Sequence, residues 1–315
     1  MTAMISGFMI VKDVLRQGYP FVEAIASALP ICDEFLISDG YSTDGTYEVL
    51  KRIADLNPKV KVYQYKWPDK KNITVLADVT NEVRSKCRFD HIFSVQANEI
   101  VHEESALLIK ALPSIHPSVD TFSLPCTQFV NKYIANEEFR IRLSKNLDHI
   151  VAISDAWTLG ASKDFIRIKK LKAFPNPRRL LAYVEKGIAV VYANTCYDIL
   201  SRAFYLPKPV YRYWSLFPKN FLEKSKGHNE LFGMQEFQKS FDVLQKHVDD
   251  PETFWRLGCE FLRQVEFKEP ELNYPEFYNS VEKKDHPAII QEFISKTHAD
   301  HYYIREELFE MLKNL

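Results

Sequence analysis

Two short stretches of this 315-residue chain place polar side chains where chemistry could be done. The first is Ser38-Asp39-Gly40-Tyr41-Ser42-Thr43-Asp44-Gly45-Thr46, which follows the apolar run Phe35-Leu36-Ile37 and precedes a helical pattern over residues 47–53. This order predicts a strand, a polar turn and a helix with Thr43 or Asp44 as its N-cap. Asp39 then stands where a strand ends, beside newly exposed backbone N–H groups. A carboxylate there takes the donors of a base or ribose, and the N–H groups take anions, so the place suits a nucleotide. Loops of this kind also hold Asp, Ser and Gly for backbone reasons alone. The second stretch, Phe93-Ser94-Val95-Gln96-Ala97-Asn98-Glu99-Ile100-Val101-His102-Glu103, lies at another predicted strand end.

The elements that must position these residues follow from the pattern of apolar runs. Residues 5–11 read as a buried strand and 19–29 as a helix with Pro20 in its first turn. Strands over 34–38, 60–65 and 91–95 alternate with helices over 45–56, 75–87 and 103–112, and a fifth strand is expected at 121–124. Such alternation predicts a parallel sheet covered on both faces. Right-handed crossovers put the loops after each strand along one edge, where ligands bind. From 125 to about 214, strand-like pieces such as 138–143 and 188–193 mix with polar loops and read as the second half of the same domain. Beyond about 232 the chain reads as helical, over 234–247, 252–265, 288–296 and 304–312. The expected division is a domain over 1–231 and a helical extension over 232–315.

Composition excludes several classes. A formal net charge of −1 gives no global basic field, so nucleic acid is not an expected partner. Nine glycines against 22 phenylalanines and 16 tyrosines point to an aromatic-rich core or cleft rather than flexible linkers. The five cysteines are scattered with no CxxC pair, and no signal-peptide pattern is present, which implies reduced thiols in a cytoplasmic protein. No apolar run approaches the roughly 20 residues of a membrane span, so any work at a membrane is peripheral. GxSxG, Walker A and GxGxxG patterns do not occur. His298 and His301 could ligate a metal on a helix, but no third ligand accompanies them.

The passage from Ser38 to Thr46 resembles the VDDGSTDGT signature of family 2 glycosyltransferases, with Asp39 at the first Asp. One branch of that family is closer still. It reads QADEVxHE where this chain has residues 96–103, opens with a segment like Ser6-Gly7-Phe8 and Tyr19-Pro20, and carries LPxCDEF where Leu29-Pro30-Ile31-Cys32-Asp33-Glu34-Phe35 stands. The resemblance runs from about residue 6 to 103 and thins towards 231. It implies a GT-A-type α/β sandwich, with a mainly parallel central sheet, here followed by the helical C-terminal extension. The implied activity is transfer of a sugar from a nucleotide diphosphate donor to a hydroxyl acceptor, with inversion.

Two departures from the branch bear on cofactors. Its DXD-type motif ends in an Asp that ligates Mg²⁺ or Mn²⁺ on the donor diphosphate, and this chain has Asn98 there. An amide oxygen can ligate but brings no charge. The branch's YHYG stretch offers a further His ligand, where Val210-Tyr211-Arg212-Tyr213-Trp214 stands here. Arg212 cannot ligate a metal but can grip a phosphate. The expectation is therefore that Lys12, Asn98 and Arg212 bind the diphosphate, with Mg or Mn weak or dispensable and no dedicated metal ligand; Glu99 remains as an acid nearby. Asp39, Asn81 and Gln96 are assigned to the nucleotide.

Inverting transfer needs a general base on the acceptor side. Ile153-Ser154-Asp155-Ala156-Trp157-Thr158 supplies an acid beside a Trp, and aromatic faces stack on pyranose C–H surfaces, so Asp155 is the candidate base. Glu137, Glu138 and Asp148 are alternatives. Relatives carry a mobile basic and aromatic segment where residues 211–226 lie; in this chain His228 is a further ligand or phosphate contact, and Lys70 and Lys71 read as surface charges. Two other readings stand beside the transferase. One is an inactive sugar-nucleotide or glycan binder on the same scaffold; the other is a nucleotidyltransferase, with Lys12 as its thin support.

Overall fold

Residues 3–69, 74–162, 199–232, 238–267, 280–295 and 302–315 are described by the structure, a computed structural model. The first half is a doubly wound unit. Strands β1 (Ile5–Val11), β2 (Glu34–Asp39), β3 (Val60–Gln64) and β4 (His91–Ser94) run parallel in the order β3-β2-β1-β4. Nearly every residue of β1 and β2 is buried, as expected for strands covered on both faces. Helices α1 (Phe21–Ala28), α2 (Thr46–Leu56) and α3 (Val75–Arg84) connect them. Pro20 caps α1, and Gly45 caps α2 with φ of 94°, so α2 opens just after Asp44, whose Oδ1 accepts from Thr46 N at 3.0 Å.

The sheet then turns mixed. Beyond β4 the order continues β7-β6-β11-β5, built from β5 (Glu99–Val101), β6 (Thr121–Val130), β7 (Tyr133–Lys145) and β11 (Val210–Ser215). Strands β6 and β7 form a long antiparallel hairpin, whereas the sequence pattern showed only pieces of them at 121–124 and 138–143. Pro125, Gln128, Asn136 and Glu137 fall in the unread parts and break the apolar alternation that marks a strand. Helix α4 (Glu103–Ile115) links β5 to β6, and β10 (Ser201–Ala203) adds to one edge of β6. A separate hairpin, β8 (Ile150–Ile153) and β9 (Thr158–Ala161), packs with α3 over Phe8, Leu36, Ile92 and Ile141.

The C-terminal helices build on this core. Helix α5 (Pro218–Phe232) follows β11, and α6 (Gln238–Gln245) and α7 (Pro251–Phe267) come next. Phe254, Trp255 and Cys259 of α7 join Val130, Tyr133 and Phe221 in a buried cluster. The 3₁₀ turns at 283–285 and 288–290, the short α8 (Gln291–Ser295) and α9 (Glu307–Lys313) pack into the main core through Ile290, Phe293, Leu308, Phe309 and Leu312. Residues 188–193, expected as a strand, lie outside the described residues.

Candidate functional site

Strand order 3-2-1-4 reverses direction at β1, because β2 and β4 flank it on opposite sides. Loops leaving the C-terminal ends of β1 and β4 therefore diverge to opposite sides, and a crevice opens between them. The structure has a cleft of about 1090 Å³ at this place. Its walls come from the end of β1 and the following loop, the turns after β2, β3 and β4, the cleft face of α3, the β8–β9 turn and Arg212.

The first wall is two loops zipped together. Asp13 is buried with φ of 50°, and its Oδ1 accepts from Thr43 N at 2.8 Å while Arg16 pairs with it at 2.9 Å. Asp13 N in turn donates to Ser42 Oγ at 2.8 Å. Lys12 lines the cleft with its ammonium 5.5 Å from the centre of the Trp67 ring. Gly40 is required here, since a Cβ would stand 2.6 Å from Trp67 Nε1 and 3.0 Å from Lys12 Cβ. Trp67 Nε1 itself is buried without a hydrogen-bond partner. Asp39 lies behind this wall. It is fully buried, and its carboxylate accepts from Ser42 N and from Gln64 Nε2 at 3.3 Å, so it braces the turn.

The second wall holds the residues after β4. Gln96 Nε2 donates to Ala156 O at 3.2 Å, which fixes the amide and leaves Oε1 buried without a partner. Asn98 Nδ2 donates to Tyr213 O at 2.9 Å, and Tyr213 N returns a bond to Asn98 O at 2.8 Å. The amide at 98 thus laces the cleft floor to β11, and a carboxylate could not make the same bond. Arg212, also on the floor, donates to Gln128. Glu99 is fully buried and pairs with Arg142 and Arg140. Burial pushes its pKa up, but Arg142, Arg140 and Arg212 outweigh this and hold it below the ordinary value. Its carboxylate also accepts from Gln96 N at 3.1 Å, so Glu99 is spent on structure.

Asp155 projects from the β8–β9 turn, flanked by Ser154 and Ala156 with φ of 56° and 63°. Asp13, Tyr41 and Ala156 are three of the five non-glycine residues with positive φ among the described residues, and all three line the cleft. Strained backbone of this kind persists where surrounding structure holds it, often at functional sites. Asp155 Oδ1 is buried and has no partner. The alternative acids do not line the cleft: Glu138 pairs with Arg140, and Glu137 accepts from Thr127 at 3.4 Å. Asp148 is likewise off the wall.

The structure thus brings Lys12, Gln96, Asn98, Asp155 and Arg212 to one cleft, and leaves Asp39 and Asn81 out of its lining. Asn81 turns the other way, its amide bridging Ala152 N and O at 2.7 and 3.0 Å. Thr80, its neighbour, faces the cleft instead. Residues 211–226 are not a segment at the cleft mouth: they form β11 and the start of α5. Lys224 there is buried, donating to Trp214 O at 2.9 Å and lying 4.5 Å from the Tyr19 ring centre. Apolar and aromatic neighbours at Phe217 and Phe221 pull this stretch into the core. Lys70, Lys71, His298 and His301 lie outside the described residues. Asp13, Trp67 and Thr80 were missed by sequence reasoning; the position of Trp67 just past β3 was the one available signal.

Among the described residues no group of three or more His, Cys, Asp or Glu side chains could hold a metal ion. No described helix is long and apolar enough to cross a membrane. No protein-family profile matches the sequence, and no curated protein matches it significantly. Among solved structures, the chain is similar to Staphylococcus aureus TarS 1-349, at 13% identity and a TM-score of 0.38, covering 84% of this chain and 72% of that one. A TarS 1-349 complex with UDP matches at 13% identity and 0.38 over 86% and 73%. The mannosyltransferase PcManGT from Pyrobaculum calidifontis, in complex with GDP-Man and Mn²⁺, matches at 12% identity and 0.38 over 84% and 70%.

Proposed function

We propose that this chain is a glycosyltransferase that moves a sugar from a nucleotide diphosphate donor to a hydroxyl acceptor, with inversion. The observation that carries the reading is the convergence of Lys12, Gln96, Asn98, Asp155 and Arg212 on one cleft at the reversal point of the sheet. Those residues come from four separate parts of the chain. They supply two cations for a diphosphate and one carboxylate for a proton.

In this reading the nucleoside lies against the wall of Lys12, Gly40 and Trp67, with Asp39 supporting the turn from behind. The diphosphate lies over the floor, where Lys12 and Arg212 offset its charge. Asp155 takes the proton from the acceptor hydroxyl as its oxygen attacks the anomeric carbon. The glycosidic bond to the diphosphate breaks, and the diphosphate leaves with the bonding pair. The described residues of the floor offer a divalent ion no free carboxylate: Asn98 presents only an uncharged amide oxygen, and Glu99 is committed to two arginines. A dispensable metal follows as part of the proposal.

The test is calorimetry and nucleoside diphosphate release with a panel of UDP-, GDP- and dTDP-sugars, each with Mn²⁺ and with EDTA, on the parent and on Asp155→Asn. Binding and turnover that survive EDTA, with turnover falling by roughly 10²- to 10⁴-fold in the variant while binding of the bare nucleoside diphosphate holds, support the reading. Strict Mn²⁺ dependence would remove Arg212 from the cation's role. The alternative is a non-catalytic sugar-nucleotide binder, and the structural use of the Asn98 amide favours it. Donor binding without turnover across hydroxyl acceptors would establish it.

A further inference from the structure

Three polar atoms at one corner of the cleft have no hydrogen-bond partner although they are buried: Thr80 Oγ1, Gln96 Oε1 and Asp155 Oδ1. All three residues line the cleft. Their grouping is fixed by hydrogen bonds around them. Asn81 ties α3 to Ala152, which brings Thr80 to the β8–β9 hairpin, and Gln96 Nε2 reaches Ala156 O in the turn that carries Asp155.

Two of these atoms depart from the ordinary outcome. A buried threonine inside a helix usually returns its hydroxyl to the carbonyl four residues earlier. Thr80 is 5% exposed and does not do so. Gln96 cannot flip to satisfy its oxygen, because its nitrogen is held by a carbonyl. Buried polar groups without partners are costly, and three of them on one cleft wall stand where a ligand entering the cleft can complete them.

The chemistry of the corner selects the ligand. Two of the three atoms are pure acceptors and the third is a hydroxyl that both donates and accepts. Such a set takes O–H donors. A carboxylate placed there would meet the Asp155 carboxylate and the Gln96 oxygen, with only Thr80 able to donate to it. We infer that this corner reads the hydroxyls of an uncharged sugar ring, so that the donor carries a neutral hexose rather than a uronic acid, with Thr80 as a specificity-determining residue. The inference rests on the transferase reading above and narrows its substrate class.

The experiment is calorimetry of the parent, Thr80→Val and Thr80→Ser with UDP, UDP-glucose and UDP-glucuronate, and with GDP and GDP-mannose. In the parent, a hexose conjugate should bind at least tenfold more tightly than the uronate. Thr80→Val should weaken the hexose conjugate about five- to tenfold, the loss of one hydrogen bond, and leave the bare diphosphate within about twofold. Its Tm should stay level or rise, since it removes an unpartnered hydroxyl, and Thr80→Ser should restore the hexose affinity. Equal binding of hexose and uronate conjugates overturns the inference but spares the transferase reading. So does a Thr80→Val loss as large for the bare diphosphate as for its conjugate. Failure of every nucleotide to bind, bare or conjugated, overturns both.

Discussion

Asn98→Asp converts this chain to the residue its resembled relatives carry, and the structure gives reasons to expect a cost. The parent amide donates to Tyr213 O at 2.9 Å from a side chain that is 3% exposed. Removing the donor forfeits a hydrogen bond of about 1 kcal/mol and leaves a buried carbonyl unsatisfied, at about 1–3 kcal/mol. An ionised carboxylate facing that carbonyl adds repulsion, which Arg212 on the same floor partly offsets. A net loss of about 3 kcal/mol at pH 8 follows, or a Tm lower by about 6 °C at roughly 2 °C per kcal/mol for a chain of this size. The protonated acid can still donate to Tyr213 O, so the folded state raises the pKa of the introduced group above its unfolded value of about 3.9. Stability is then fully present below that value and is lost as pH rises through the folded pKa. Differential scanning fluorimetry of parent and variant from pH 4 to 8 should show a gap that widens with pH. A variant as stable as the parent at pH 8, with Mn²⁺-dependent binding gained, would refute the argument that the amide is held for its donor.

Two further expectations concern the first wall and the far side of the sheet. Gly40→Ala forces Trp67 and Lys12 to move, and should cost about 1–3 kcal/mol in chemical denaturation while weakening nucleoside diphosphate binding about tenfold; unchanged affinity would place the nucleoside elsewhere. Glu23 on α1 is fully buried, and burial raises its pKa from 4.5 to about 7 despite hydrogen bonding by Tyr302 and the charge of Arg305. Because the folded value is raised, the contribution is complete below pH 4.5 and fades as pH climbs through about 7. Glu23→Gln should therefore flatten the Tm profile over that window and be more stable than the parent at pH 8; a profile that keeps its slope would assign it to another group.

The parallel half of the sheet and its loops were readable because buried strands are continuous apolar runs and turns punctuate them. Residues 5–11 and 34–38 match β1 and β2 almost to the residue. The β6–β7 hairpin was not readable at its full length, because Pro125, Gln128, Asn136 and Glu137 in its unread parts look like loop residues in sequence. At the cleft, the sequence pattern located Gln96 and Asn98 on a loop that lines it. It could not choose between Thr80 and Asn81, where about 100° of helix rotation separates a cleft residue from one facing the hairpin. Neither could it find Asp13, whose role depends on a left-handed backbone and on Thr43, 30 positions away.

The last segment of the chain has a consequence for how the molecule assembles during synthesis. Tyr302 OH donates to Glu23 Oε2 at 2.8 Å, Arg52 pairs with Glu306 at 2.7 Å, and Asn57 Nδ2 donates to Leu312 O at 2.7 Å, across 279, 254 and 255 positions. Asn220 joins the same segment to the first cleft loop, accepting from Tyr302 N at 3.0 Å and donating to Arg16 O at 3.4 Å. Gly18, with φ of 68°, leaves the space that Asn220 fills. At about 5–20 residues per second, translation makes α1 and α2 wait roughly 10–50 s for these partners. Until then the outer faces of both helices stay open on the ribosome, and the cleft loop lacks one of its anchors. The first wall of the cleft is therefore among the last parts of the molecule to be secured, although its residues are among the first to be made.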